Sequence, residues 1–547
     1  MSTKSIEHLP VSLQKIIQEI WQHRNQMKPS LAQKIVRDAA VEMKDLVNWE
    51  DYDHPLSDSY GRKLVFEDGF FEIMVMSWTP GDVSAIHDHG YTQWGAVQIF
   101  GPAEHSTFMV QDDAIVTISR KVMEPGRVIP VGHQLVHQMG NQSEQKFLTL
   151  HVYGVDDLEF NRESVTADAR VWDITEGVVQ RTNGGVFFAL PQKQINAVEP
   201  APIPNYMSWL RNTLEYIRRI RKANRQKPEE HLVKIEQKLT SQIFDISRWN
   251  SFESELMVHV NSNGHVTNPT FWQLLRGELI QAARLQNELL GMEPDSKDSF
   301  YTYAELYDEV IGQPCLTNFT GKYIKFVHDI YNLDFSASRI LSIGCGTGLM
   351  EEHILQTYNL HKDNLLGIDI SEAMVEVASK KINAVVKDIV ELDPTDQLWD
   401  ITFASLNVFQ YLPQTKMGQA IEKVAQITRK GGYFVGDFVT PDHMRWYPDV
   451  IRSENVISLR EPLFVEKNHN IHQQSEIINV SKLHGKLRIT YEGKHIRYLP
   501  SLWKMRYLFN KFFGSQVDVF DAVTLEPLKA EDDTCPSTRY LVVAQKG

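Results

Sequence analysis

The sequence predicts a multidomain chain: a small all-β domain behind leading helices, a helical connector, and a C-terminal α/β domain built on a seven-stranded sheet. Three observations predict it. Short apolar or alternating runs rich in Val, Ile, Phe and Trp, broken by Gly, Pro and Asp, recur between residues 61 and 155, as in a barrel or sandwich. The run EPAPIPNY, Glu199 to Tyr206, places three prolines in five residues and marks a boundary. From Arg339 strand and helix patterns alternate, which implies a parallel sheet covered on both faces.

The elements follow in order. SLQKIIQEIWQHR and SLAQKIVRDAAVEM carry apolar residues at three- and four-residue spacing and read as amphipathic helices. FFEIMVMSW, QWGAVQIF, AIVTISRKVM and KFLTLHVYG read as strands. Residues 206 to 292 are helical in pattern and read as packing rather than chemistry. Boundaries are therefore set at 1–198, 199–295 and 296–547, with an insertion of alternating stretches at about 440–500.

At 547 residues the chain exceeds one ordinary core. A formal charge of −14 argues against nucleic acid or an anionic membrane as principal partner. The basic run Arg218-Arg219-Ile220-Arg221-Lys222 reads as a solvated helix face. No apolar stretch approaches the ~20 residues that span a bilayer, and MSTKSIEHLPVSLQKII lacks the pattern of a signal peptide. Three cysteines without paired spacing suit a reducing cytoplasm.

The segment GDVSAIHDHGYTQW holds His87 and His89. In a strand, positions i and i+2 share a face, so both imidazoles can reach one metal ion. IPVGHQLVHQMGN offers His137, followed after three residues by Asn141, as a third imidazole, with His133 as the alternative. Thr149, His151 and Tyr153 alternate, so a histidine between a hydroxyl and a phenol faces one side as a relay.

The spacing Gly-x5-His-x-His resembles the cupin fold, with Trp94 where most cupins carry a glutamate ligand. Residues 50 to 155 further resemble cysteine dioxygenase and its thiol dioxygenase relatives, through SYGRKLV, MVMSWTPGDVSAIHDH, LVHQMGN and LTLHVYG. The resemblance implies an all-β cupin barrel in which His87, His89 and His137 bind Fe(II), with positions left for a thiol and O₂. It implies that Arg62 holds the substrate carboxylate beside Tyr60, with Lys63 as the lesser candidate. Tyr153, oriented by His151 and Thr149, would stand near substrate and oxygen. Animal members carry at the position of Trp94 a cysteine linked to the tyrosine. Tyr153 should therefore be unmodified here, with Trp94 shaping the thiol pocket. Cysteine is the first substrate expected, 3-mercaptopropionate the second.

ILSIGCGTGLMEEHIL joins an apolar strand, a glycine loop and a helix start, and LLGIDIS, AVVKDIVEL, WDITFASLNVFQYL and KGGYFVGDF continue the alternation. The set resembles the class I S-adenosylmethionine-dependent methyltransferases over residues 300 to 547, and implies a Rossmann-like fold. Gly344, Gly346 and Gly348 would then line the cofactor, Asp369 bind the ribose and Asp388 face the adenine. Tyr307 would cover the cofactor. Asn407, Gln410 and Tyr411 would contact a small-molecule acceptor beneath a lid. Ser342 stands where the family usually has an acid.

Joined in one chain, the two activities suggest consecutive steps. Iron needs a free thiolate, so oxidation to the sulfinate precedes methylation, which then falls on nitrogen of that product or a descendant. The rival expectations are an unrelated methyl acceptor, or a non-oxidative or sensory metal-binding cupin attached to the methyltransferase.

Overall fold

The computed structural model describes the chain except residues 1–4, 56–57, 112–113, 157–163, 189, 191, 227–228, 292–297, 299, 302–303, 393–397, 446, 468–469 and 530–533. It forms two compact units, residues 1–258 with 270–278, and residues 259–269 with 279–547. The expected boundary at 295/296 lies outside the described residues.

In the first unit, helices α1 (Val11–Gln22) and α2 (Pro29–Ala39) precede the strands. β1 (Gly61–Glu67), β2 (Phe71–Trp78), β3 (Ile86–His87), β4 (Trp94–Ile99) and β5 (Glu104–Val110) are followed by β6 (Ala114–Val122), β7 (Val128–Gly132), β8 (Val136–Gly140) and β9 (Phe147–Gly154). β10 (Ala169–Asp173), β11 (Val178–Thr182), β12 (Ile195–Pro200) and β13 (Ile203–Pro204) complete the set. One sheet runs β1-β2-β9-β4-β7, the other β12-β11-β10-β3-β8-β5-β6-β13. The first sheet's outer face is roofed by the leading helices. Leu13, Ile16, Ile17, Ile35 and Val36 are buried there, and Gln33 of α2 donates to the Val128 carbonyl at 2.7 Å.

Two expectations need correction. The proline-rich run is not a free linker: β12 and β13 are the two edge strands of the second sheet. Edge positions tolerate proline because its missing N–H faces away from any neighbour. The following helix α3 (Tyr206–Gln226) belongs to this unit rather than to a separate connector. Its basic run is not a solvated face either. Arg219 is buried, and Lys222 donates to Asp82 at 2.5 Å. Fully buried Asp82 also accepts from the Thr79 amide at 2.5 Å and faces His54 at 3.4 Å. Burial would raise the Asp82 carboxyl, but His54 and Lys222 outweigh it and hold it below its ordinary value. An acid in the β2–β3 loop, unremarked in the sequence, is thus what immobilises the basic helix. Asp82→Ala leaves that cationic cluster uncompensated and is expected to cost roughly 3 kcal/mol, measured by denaturant unfolding.

The second unit carries a sheet ordered β16-β15-β14-β17-β18-β24-β23. Its strands are β14 (Ile340–Ile343), β15 (Leu365–Asp369), β16 (Ala384–Val386), β17 (Trp399–Ala404) and β18 (Thr428–Val439), closed by β23 (Gly514–Asp521) and β24 (Arg539–Lys546). The first five are parallel and β24 is antiparallel to β18, so the terminal hairpin completes seven strands as expected. The insertion forms a four-stranded antiparallel sheet of β19 (Val450–Arg452), β20 (Val456–Lys467), β21 (Asn470–Leu483) and β22 (Lys486–Leu499). Among the described residues no helix is long and apolar enough to cross a membrane.

Candidate active sites

In the first unit, β3 is short because it delivers a histidine and then turns. His87 pairs directly with His137 of β8, and Asp88, pointing the other way, accepts from the Arg170 amide at 2.8 Å and its Nε at 2.6 Å. Gly90 permits the turn after His89: its φ is +56°, and a Cβ there would sit 2.0 Å from the Ala167 carbonyl oxygen. Asn141, expected beside the third imidazole, instead fastens the end of β8. Its amide accepts nothing from the histidines but donates to the Gln145 carbonyl at 2.6 Å.

Three imidazoles converge. One ring nitrogen of each of His87, His89 and His137 lies within 4.8 Å of the other two, and all three rings are buried. His87 donates from Nδ1 to the Ala85 carbonyl at 2.8 Å, which leaves the Nε2 lone pair facing His137 Nε2 at 3.1 Å. Both nitrogens of His89 are buried without a hydrogen-bond partner among the described residues. Burial, then the neighbouring imidazoles, hold His89 and His137 far below the ordinary histidine value, and burial brings His87 to about 4. A dry cluster of neutral lone pairs, one ring wholly unpaired, fits a divalent cation. His133 is not a member of this cluster, and its Nδ1 is engaged by the Thr92 carbonyl at 3.0 Å. His105 of β5 was not marked by any sequence pattern. Its Nε2 lies 2.8 Å from His137 Nδ1, where it orients that ring from behind.

Beside this cluster a relay runs along β9. Trp78 donates to Thr149 Oγ1 at 2.9 Å, Thr149 lies 2.7 Å from His151 Nε2, and His151 Nδ1 lies 2.7 Å from the Tyr153 hydroxyl. An indole only donates, but the Thr149 oxygen has two lone pairs, so the direction of both histidine bonds is set by the His151 tautomer. With the proton on Nδ1, His151 donates to Tyr153 and the phenol's own proton points elsewhere. Burial keeps the Tyr153 phenol well above its ordinary value and His151 down at about 3, so both are neutral at pH 7. Tyr60, Met76, Trp78, His87, His137 and Tyr153 line the small cavity between relay and cluster.

The register of β1 separates the two candidate cations. Arg62 pairs with Met76, and its guanidinium turns inward, donating from Nε to Met74 Sδ at 3.1 Å and from Nη2 to Thr166 at 3.2 Å. Lys63 points out, half-exposed, to Asp51 at 3.1 Å. Trp94 requires a correction. Its neighbour Gly95 pairs with Tyr153, and a Cβ on Gly95 would lie 2.7 Å from that ring. Trp94 faces the opposite side of β4, packed on Phe70 at 5.5 Å and Phe71 at 6.4 Å under the helices. The position beside the phenol is therefore a glycine, and Trp94 does not shape the cavity.

In the second unit a cavity of about 720 Å³ lies at the carboxyl ends of the central strands. Gly344, Gly346 and Gly348 have φ of +64°, +54° and +74°, and a Cβ on Gly344 would meet Val408 at 2.4 Å. Asp369 ends β15 and accepts from the Gly346 amide at 2.9 Å and the Ser371 amide at 2.9 Å. Asp369, Asp388, Tyr307 and Tyr411 all line the cavity. Gln410 does not: its amide is fully spent on the Val439 backbone at 2.9 and 2.8 Å. Asn407, in the left-handed region at φ +57°, starts that turn and lies outside the lining as well. Both are corrected from acceptor contacts to supports of the β17 loop.

The acid missing at Ser342 comes from the next helix. Glu351, on helix Leu349–Thr357, is 1% exposed, lines the cavity and accepts from the Ser342 hydroxyl. Its Oε2 is buried without a partner among the described residues, and burial pushes the carboxyl up to about 7. A serine and a glutamate nine residues apart thus occupy the place of one acid.

Comparison with known proteins agrees with both halves. Residues 1–156 match the family model of cysteine dioxygenase type I, and residues 340–432 that of a methyltransferase domain. The methyltransferase unit is similar to two malonyl-(acyl-carrier protein) O-methyltransferases of Ilyobacter polytropus. One is 37% identical over 79 residues, covering 13% of this chain and 28% of the relative. The other is 28% identical over 180 residues, covering 30% and 64%. The chain thus spans less than two thirds of the length of either. A solved S-adenosylmethionine-dependent methyltransferase of Clostridium acetobutylicum matches 45% of the chain over 99% of its own, at 15% identity and a TM-score of 0.36.

Proposed function

We propose that the chain is a bifunctional enzyme. The dioxygenase-type unit oxidises a small thiol, cysteine first, to its sulfinate with Fe(II) and O₂. The methyltransferase unit moves a methyl group from S-adenosylmethionine to nitrogen of that sulfinate or a descendant. The observation that carries the first half is the convergence of three buried imidazoles beside a Thr149–His151–Tyr153 relay.

Fe(II) held by His87, His89 and His137 would supply open coordination positions and the redox chemistry of dioxygen. The remaining roles belong to the chain. Arg62, whose planar fork suits a carboxylate, anchors the substrate at the end remote from sulfur. Tyr153 donates its proton toward the reacting sulfur and oxygen atoms, and His151, held by Thr149, fixes the direction of that bond. The apolar walls, Met76 and Trp78 among them, exclude water from a reactive centre.

In the methyltransferase unit Asp369 takes the ribose hydroxyls, Asp388 the adenine edge, and the glycine loop lets the backbone approach the cofactor. Glu351 receives the ammonium of its methionine end. A carboxyl held near 7 in the fold but near 4.5 unfolded binds its proton more tightly when folded, so the ligand-free protein loses stability as pH rises from about 4.5 to about 7. A bound ammonium reverses the preference. S-adenosylmethionine affinity is therefore expected to rise as pH passes through 7, and Glu351→Gln to flatten both profiles, by calorimetry and unfolding.

The tandem scheme is tested by incubating the full chain with iron, cysteine and O₂, with and without S-adenosylmethionine, and weighing the products. A methylated sulfinate supports it. A sulfinate that never gains a methyl rejects the coupling and keeps the oxidation.

A further inference from the structure

The wall of the methyltransferase cavity includes the acids Glu351, Asp369 and Asp388. β22 of the inserted sheet adds Lys494 and His495 to the same wall. His495 is 5% exposed, its ring edge-on to Phe300 at 5.2 Å, and its Nε2 finds no partner among the described residues.

Two residues on, and so on the same face of β22, stands Arg497. It donates from Nη2 to the Tyr411 hydroxyl at 2.9 Å and stacks over that ring at 5.2 Å. The phenols Tyr411, Tyr447 and Tyr307 act on it, and its Nε is buried without a partner among the described residues. Arg539 is different, being paired with Asp437. Burial and then Arg497 and Arg460 bring the His495 imidazole to about 3, so it is neutral at pH 7.

A guanidinium whose Nε is buried without a partner among the described residues is costly unless an anion completes the site. The reactive sulfonium is itself cationic, so a positively charged acceptor would be repelled. We propose that the methyl acceptor is an amine carrying an acidic group, that Arg497 binds that group, and that His495 Nε2 accepts a hydrogen bond from the amine, which enters as its free base. The step balances: the amine has left its ammonium proton in solvent, and its lone pair attacks the methyl carbon. The S–C bond breaks, its electrons stay on sulfur in S-adenosylhomocysteine, and the methylated product leaves as an ammonium. The proposal rests on the methyltransferase reading of this cavity and adds the two residues that recognise the acceptor.

The full chain is titrated first with S-adenosylmethionine. No binding would overturn the methyltransferase reading and this proposal together. With S-adenosylhomocysteine bound, 2-aminoethanesulfinate and the uncharged-side-group analogue 2-aminoethanol are then compared by calorimetry. The acid is expected to bind at least about tenfold tighter, the preference vanishing in Arg497→Gln and returning in part in Arg497→Lys. Equal affinities, with cofactor binding intact, would overturn the proposal alone. In turnover with L-cysteine sulfinate, His495→Leu, which removes the acceptor, is expected to lower kcat about tenfold, and His495→Gln, which keeps an acceptor oxygen, to recover part of it. A kcat unchanged by His495→Leu, no recovery in His495→Gln, or no transfer to the amine would overturn the role of His495.

Discussion

His89→Ala is expected to abolish thiol oxidation and to strip the iron from the dioxygenase-type unit. Its ring is the member of the cluster with neither nitrogen partnered by a side chain among the described residues, so a cation bound there would satisfy a buried lone pair. Loss of an outer-shell partner alone costs about 10–100-fold in metal affinity, and loss of a direct ligand from a three-ligand site exceeds that. Metal analysis of the purified variant should fall from about one iron per chain to near zero. Sulfinate formation should become undetectable, while calorimetric binding of S-adenosylmethionine stays unchanged. A variant that keeps its iron would place the metal elsewhere.

The second large effect is expected at Asp369→Ala. The carboxylate ends β15 with two backbone donors already on it, so it is aimed before any ligand arrives. Two charge-assisted hydrogen bonds to a ribose are worth about 3 kcal/mol together, or roughly 10²-fold in affinity. The same substitution also frees the Gly346 amide from the loop that cradles the ligand. S-adenosylmethionine affinity should drop by about two orders of magnitude with thiol oxidation intact. An unaltered affinity would remove Asp369 from the cofactor site.

The three converging imidazoles were legible because strand geometry puts i, i+2 histidines on one face, and that spacing is visible in one dimension. Arg62 was already preferred to Lys63, but on resemblance alone, without the physical reason that the fold supplies. One residue of register flips a side chain to the other face, and that register was fixed by the pairing of β1 with Met76 of β2. The same ambiguity misplaced Trp94, one step from Gly95. Glu351 was hidden for another reason: two adjacent glutamates open the helix after the glycine loop, and only packing decides which one turns inward. The basic run of α3 looked solvated because its counter-charge, Asp82, lies 140 residues away in sequence. His495 and Arg497 sat in a stretch whose alternation was plain, but whose two faces became distinguishable only when one of them met the cavity.

The central claim is a ferrous centre held by His87, His89 and His137 that adds dioxygen to a thiol. Iron-loaded full chain should be given cysteine under ¹⁸O₂ and the product weighed. The account predicts cysteine sulfinate with both oxygens labelled, one O₂ consumed for each sulfinate formed. Disulfide alone, or label arriving from water, would contradict it.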